Sequence, residues 1–149
     1  MPNPSKQPGN DSAPSPMRQV AALCVRQGRK TPKVLLITSR DSGRWVVPKG
    51  WPMEGKTDLD SALQEAWEEA GVRASATCAA PLGTFTYDKG LDDGRDIPVK
   101  VSLYRVEVSA LDAEFPEREE RERRWVTPET AARMVDEPGL KKLLLKFTA

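Results

Sequence analysis

Histidine is absent from this sequence. That gap removes imidazole-based nucleophile triads, histidine-ligated zinc sites and an imidazole general base. Any catalysis must therefore rest on carboxylates, lysines, hydroxyls or a bound metal ion. Cysteine is scarce as well. Cys24 and Cys78 are too few for a disulfide framework and form no C-x-x-C pair, so both are expected as reduced thiols in or near the core. No apolar run approaches the roughly 20 residues that span a bilayer. The first residues also lack the basic start, apolar middle and small-residue cleavage site of a secretory signal. The expected location is the cytoplasm, with no membrane partner. An excess of one charge is missing too. With 23 Lys and Arg against 22 Asp and Glu the net charge is +1, which argues against a wholesale polyelectrolyte binder but allows strong local fields.

What remains is an ordinary globular composition, 38% hydrophobic and 30% charged over 149 residues, enough for one domain with its own core. Residues 1–16 are rich in Pro, Ser, Asn and Gly without apolar periodicity and read as a disordered tail, leaving 17–149 as the folded domain. Apolar runs at 19–25 and 34–38, separated by Gln27-Gly28-Arg29-Lys30, predict two strands and a turn, and 45–47 a third short strand. The segment 48–56 holds two prolines and two glycines, so it must be a shaped loop. Thr57 or Asp58 then offers an N-cap, and Leu59, Ala62, Leu63, Ala66 and Ala70 recur at helical spacing until Gly71 stops the helix. Strands at 78–87 and 98–108, joined by the acidic loop 89–96, predict a long hairpin. A charged run, 117–124, leads into Trp125-Val126, a helix at 128–135 and a last helix carrying Leu140, Leu143, Leu144 and Phe147. Alternating strands and helices imply an α/β sandwich.

The first helix carries the chemistry. At 100° per residue, Glu65, Glu68 and Glu69 fall in a sector about 100° wide, beside the apolar face. Three carboxylates pointing one way repel one another unless something positive compensates. A divalent cation does so directly, and hard Mg²⁺ prefers carboxylate oxygens and bridges to substrate phosphates. A solvated acidic helix face is the alternative for such a string in isolation. Its setting, after a Gly/Pro loop that can approach a ligand closely and before a helix-ending glycine, favours the site.

The 23 residues from Gly50 to Val72 resemble the Nudix box, G-x5-E-x7-R-E-U-x-E-E-x-G-U, where U is apolar. Gly50, Glu65, Ala66, Glu68, Glu69, Gly71 and Val72 match in register, while Lys56 stands where a glutamate is expected and Gln64 where an arginine is expected. The resemblance implies an α/β/α sandwich with a mixed sheet between helices. It further implies a phosphoanhydride hydrolase using Mg²⁺ or Mn²⁺ held by Gly50, Glu65, Glu68 and Glu69, the three glutamates also being the catalytic set. In the family the missing glutamate and arginine support the box by pairing. Their joint replacement reads as a rewired support, with the helix carboxylates intact.

Residues 17–24, 35–40, 44–48 and 123–126 are similar to the diphosphoinositol polyphosphate phosphohydrolase branch. By that likeness Arg18, Ser39, Arg40 and Arg44 line the site of a highly phosphorylated ligand, with Lys49 and Lys56 adding charge beside the metals. Guanidinium forks and mobile ammonium groups together suit a polyanion. The expected partner is a small polyphosphate, either a diphosphoinositol polyphosphate or a dinucleoside polyphosphate, acted on by a monomer or homodimer. Nucleic acid is disfavoured, because no basic stripe interleaves with aromatics. Phe85, Tyr87, Tyr104 and Trp51 read as core or loop packing. Glu117, Glu119 and Glu120, and Asp92, Asp93 and Asp96, are candidates for a further carboxylate at the metal site, against their reading as a solvated run and as turn residues. A binding sensor without turnover and an RNA 5′-end pyrophosphohydrolase stay open as alternatives.

Overall fold

The structure, a computed structural model, describes residues 17–147. The expected disordered tail therefore lies outside the described residues. Strand β1 (Met17–Arg26) is buried over most of its length, and its side chains serve both faces of the sheet. Ala21, Leu23 and Val25 join one core cluster, whereas Ala22 and Cys24 join the other. A strand that alternates between two dry faces must lie between two layers of helices.

β1 runs parallel to the long β7 (Asp96–Leu111), pairing from Met17 with Val99 to Val25 with Glu107. Its other edge is divided. β2 (Lys33–Thr38) pairs with its C-terminal end, and the two-residue β4 (Lys49–Gly50) pairs with Val20 and Ala21. The divided edge carries the loop of the box to the middle of the molecule. β3 (Trp45–Val46) and β8 (Arg123–Val126) flank β2, while β5 (Val72–Thr77) and β6 (Gly83–Gly90) share the edge of β7. One parallel pair among antiparallel ones makes the sheet mixed, as expected.

α1 (Asp58–Ala70) covers one face through Ala62, Ala66 and Ala70, small side chains that let its backbone approach the strands. Thr57 accepts the amide of Asp60 as N-cap, and Gly71 closes the helix at φ 70°, donating its N–H to the carbonyls of Ala66 and Trp67. The other face is covered by α2 (Pro128–Met134) and α3 (Pro138–Phe147), whose Ala131, Leu140 and Leu144 pack on Leu23, Leu36, Val101 and Leu103.

Several elements differ from the sequence expectation. The strand placed at 78–87 begins only at Gly83, because Pro81 lacks an N–H for the ladder, and β5 was not foreseen. β5 is polar and largely exposed, held by the backbone of β7 and not by apolar alternation. The loop at 48–56 starts as β4, and α3 incorporates Pro138 and Gly139 as its first turn. Cys24 is buried as expected, but Cys78 is exposed. No helix among the described residues is long and apolar enough to cross a membrane.

Candidate functional site

β4 brings Gly50 against α1 so tightly that a β-carbon on Gly50 would collide with the Glu65 carboxylate. Any larger residue at position 50 would displace the Glu65 carboxylate from this place. The loop after it is pinned by the Met53 amide, which donates to the buried Ser61 hydroxyl at 2.9 Å. One turn along α1 from the half-buried Glu65 lies Glu69, only 7% exposed. Burial first, then the neighbouring Glu65 and Glu117, push Glu69 up to about 9. Glu65 is raised as well, chiefly by burial and then by the charges of Glu68 and Glu117.

Glu69 is nonetheless gripped from two sides. The Lys49 amide donates to its Oε1 at 3.2 Å, and the Arg121 guanidinium stands 3.8 Å from its Oε2. Arg121 is almost fully enclosed, donating to Glu117 Oε1 at 2.7 Å and to the Thr38 carbonyl at 3.0 Å. The Glu117 amide in turn donates to the Glu68 carbonyl at 3.0 Å, fastening this loop to α1. The run 117–124 is thus only partly the solvated loop the sequence suggested. Glu119 and Glu120 are exposed, whereas Glu117 and Arg121 turn inward. The sequence signal was the i, i+4 spacing of Glu117 and Arg121, hidden among charges of both signs.

The third helix acid is arranged differently. Glu68 Oε2 accepts from Gln64 Nε2 at 2.6 Å, one helical turn away. Gln64, at the position where the box has arginine, therefore holds Glu68. Lys56 is exposed in the turn closed by its own N–H to the Met53 carbonyl, and it lines neither cavity at the site. Arg18 is also outside, paired with Asp58 at 2.6 Å near the start of α1.

A cleft of about 280 Å³ is lined by the acids Glu65, Glu69 and Glu117 and by the cations Arg40, Lys49 and Arg121. Ser39 and Gly50 also line it. Arg40 pairs with Glu120 at 3.1 Å and with Glu117 at 3.7 Å. A second cavity of about 610 Å³ adjoins the cleft, the two sharing Ser39, Asp41, Val46, Lys49, Tyr87 and Lys89 in their walls. Arg44 reaches this second cavity, its guanidinium 3.1 Å from Asp136. Lys49 lies between the two, its Nζ 5.2 Å from the Tyr87 ring centre, and burial lowers its pKa. Phe85 and Tyr104 are buried, as expected of packing residues, but Tyr87 faces both cavities and donates its hydroxyl to Gln19 at 2.8 Å. Asp93 pairs with Arg95 within the 91–95 turn, away from the cleft.

Carboxylate oxygens without histidine or thiolate are the donor set of a hard divalent cation. Half-buried Glu65 and buried Glu69, side by side, mark where a positive charge would relieve repulsion. Among the described residues no three acids already converge at ligating distance, because Glu68 is turned toward Gln64.

The NUDIX domain profile matches residues 17–147. Nudix hydrolase 16, mitochondrial, of Arabidopsis thaliana is 31% identical over 120 residues, covering 78% of this chain and 66% of that protein. Nudix hydrolase 12 of the same plant is 30% identical over 77% of this chain and 58% of its own length. The chain thus spans about six tenths of these plant relatives. Human diphosphoinositol polyphosphate phosphohydrolase 3-alpha is 27% identical over 79% of this chain and 68% of its own. Among solved structures, the Caenorhabditis elegans Ap4A hydrolase superposes with a TM-score of 0.64 at 21% identity, over 88% and 94% of the two chains. A NUDIX domain from Shewanella oneidensis, complexed with ADP ribose, gives 0.67 at 15% identity over 93% and 92%. The match along nearly all the described residues, together with the α/β/α sandwich and the box helix beneath Gly50, places this chain in the Nudix family.

Proposed function

We propose that this chain is a metal-dependent hydrolase of phosphoanhydride bonds in a polyphosphorylated small molecule, a dinucleoside polyphosphate or a diphosphoinositol polyphosphate. The observation that carries this reading is half-buried Glu65 and buried Glu69, one helical turn apart, sharing a cleft with the Gly50 backbone, Glu117 and Arg121. Two neighbouring acids in a partly dry cleft are unfavourable on their own account and gain from a cation. Glu65, Glu68, Glu69 and the Gly50 carbonyl would hold Mg²⁺ or Mn²⁺, with Glu117 a further carboxylate lining the same cleft. Such an ion, when bound, lowers the pKa of a water and neutralises charge on anhydride oxygens.

The chain's own groups do the rest. Arg121 and the Lys49 amide fix the Glu69 carboxylate, so its geometry is set before substrate arrives. Glu65, beside it, is the candidate to accept the proton of the attacking water. Arg40, Lys49 and Lys89 line the cleft and offer donors to phosphate oxygens. Arg44 serves the adjoining cavity, and Ser39 both. Arg18 and Lys56 would contribute only at a distance. We place the protein in the cytoplasm, acting as a monomer or homodimer.

The test is turnover. Diadenosine polyphosphates and a diphosphoinositol polyphosphate, incubated with Mg²⁺ or Mn²⁺, are expected to yield phosphate-containing products. Glu69→Gln lowers kcat by about a hundredfold or more, the scale of a lost catalytic carboxylate. Binding across the panel without hydrolysis would instead establish a sensor, and competition by capped or triphosphorylated RNA would mark a 5′-end enzyme.

A further inference from the structure

We infer that the tight turn between β1 and β2 forms a binding site for a phosphate chain, built from Arg26, Arg29, Lys30 and Lys33 and separate from the carboxylate cleft. The site is independent of the hydrolase reading. In a chain of nearly balanced charge, residues 26–33 hold four cations and no acid. A β-carbon on Gly28 would collide with the Thr31 carbonyl, so the turn closes tightly, and all four cations line one hollow of about 650 Å³. Among the described residues no acid lines it. β1 carries the hollow away from the cleft, since Val20 pairs with Gly50 and roughly 20 Å of extended strand separate Val20 from Arg26.

Strand pairing makes this crowding costly. Arg26 lies directly opposite Lys33 in the β1–β2 register, and like charges at opposed positions repel. Among the described residues none of the four cations makes an ion pair. Glu107, opposite Val25 on β7, is taken by Arg105 at 2.7 Å, and Glu129, in the first turn of α2, lies outside the hollow's wall. Arg26 is steadied instead by the Trp125 ring, whose centre is 4.5 Å from its guanidinium carbon. Positive charge thus accumulates here without compensation, and an anion would relieve it.

The shape of the cluster selects the anion. Four cations around one hollow call for closely spaced negative charges, which a phosphate chain supplies on every phosphate. Acidic side chains on one edge of an extended peptide stand about 7 Å apart. Guanidinium forks take paired phosphate oxygens and ammonium groups act as mobile point charges, with Gln27 and Thr31 adding neutral donors. Nucleic acid and membrane fit less well. The Trp125 ring is taken up by Arg26 and the core, leaving no platform for a base, and the exposed Met17, Trp51, Leu82 and Leu145 lie outside the hollow's wall.

Calorimetry on the intact chain in chelator, which prevents metal-dependent turnover, tests the site with tripolyphosphate, a methylene-bridged adenosine triphosphate and hexaglutamate. Tripolyphosphate is expected to bind about tenfold or more tighter than hexaglutamate, and the double variant Arg29→Gln/Lys33→Gln to weaken it by about tenfold or more, the scale of lost charge-assisted hydrogen bonds. Arg40→Gln, in the carboxylate cleft, should leave this binding unchanged. Nucleotide binding no tighter than that of the free chain would make the free chain the ligand, and tighter binding, lost in the same double variant, would make it a nucleotide tail. Undiminished binding by the double variant, loss in Arg40→Gln, or hexaglutamate matching tripolyphosphate overturns the assignment, the last in favour of an acidic protein segment. Thermal melting gives a second readout. At low salt without ligand, Lys33→Gln should melt no lower than the wild type, because it relieves the repulsion at Arg26. A clearly lower midpoint would mean that Lys33 supports the fold, which removes the premise.

Discussion

Arg121 shows how much a single side chain can carry at this site. Enclosed with Glu69, it satisfies Glu117 and the Thr38 carbonyl as well. Methionine would fill the same space and leave two acids facing each other without a counter-charge. Arg121→Met is expected to cost about 3 kcal/mol of stability, the scale for breaking a buried ion pair. Urea unfolding in the presence of a chelator measures it. Lysine would rescue little, because one ammonium cannot reach three acceptors in the fork geometry. The two cysteines make a separate contrast. Burial pushes Cys24 up to about 12, so its thiolate is scarce at any working pH, while Cys78 lies exposed. A thiol reagent should therefore modify Cys78 in the native protein and Cys24 only after unfolding. Rapid reaction of both in native buffer would contradict the burial of β1.

α1 was the element most legible in the sequence, and the structure explains why. Its cap residue, its small apolar stripe and its terminal glycine are local features, each acting within a few residues of its neighbours. Gly71 does more than end the helix. A β-carbon there would meet Phe115 at 2.7 Å and the Asp112 carbonyl at 2.8 Å, and its φ of 70° is strained for other residues. Gly71→Ala is expected to cost about 1–3 kcal/mol from the backbone alone, with the collision adding to it, as read by a lower thermal midpoint. The acids of α1 were readable as a face, but their partners were not. Arg121 and Glu117 reach them from more than 40 positions away in the chain, through a run whose alternating charges look solvated. β5 was missed for a related reason. Its residues are polar and exposed, and what holds it in the sheet is the backbone of β7, which leaves no apolar pattern in its own sequence.

At the scale of the molecule, the sandwich places a repulsive acid pair between the sheet and α1, and that position ties function to stability. The two-layered burial of β1 and the closing helices were foreseeable from apolar periodicity. The division of its edge between β2 and β4, which delivers Gly50 to Glu65, depends on pairing that no local pattern encodes. Because the pair is costly when empty, an ion that binds only the folded chain should stabilise it. At a hundred times its dissociation constant it would add about 2.7 kcal/mol. For a chain of this size that corresponds to a rise of roughly 5–10 °C in Tm. Glu69→Gln should lose most of this rise, since the amide neither repels Glu65 nor holds the ion as a carboxylate does. In chelator the same variant should melt no lower than the wild type, because it removes a buried acid. Scanning both proteins with chelator, Mg²⁺ and Mn²⁺ gives the comparison. An equal rise in the two proteins would place the ion elsewhere, and a large drop for the variant in chelator would mean that Glu69 supports the fold directly.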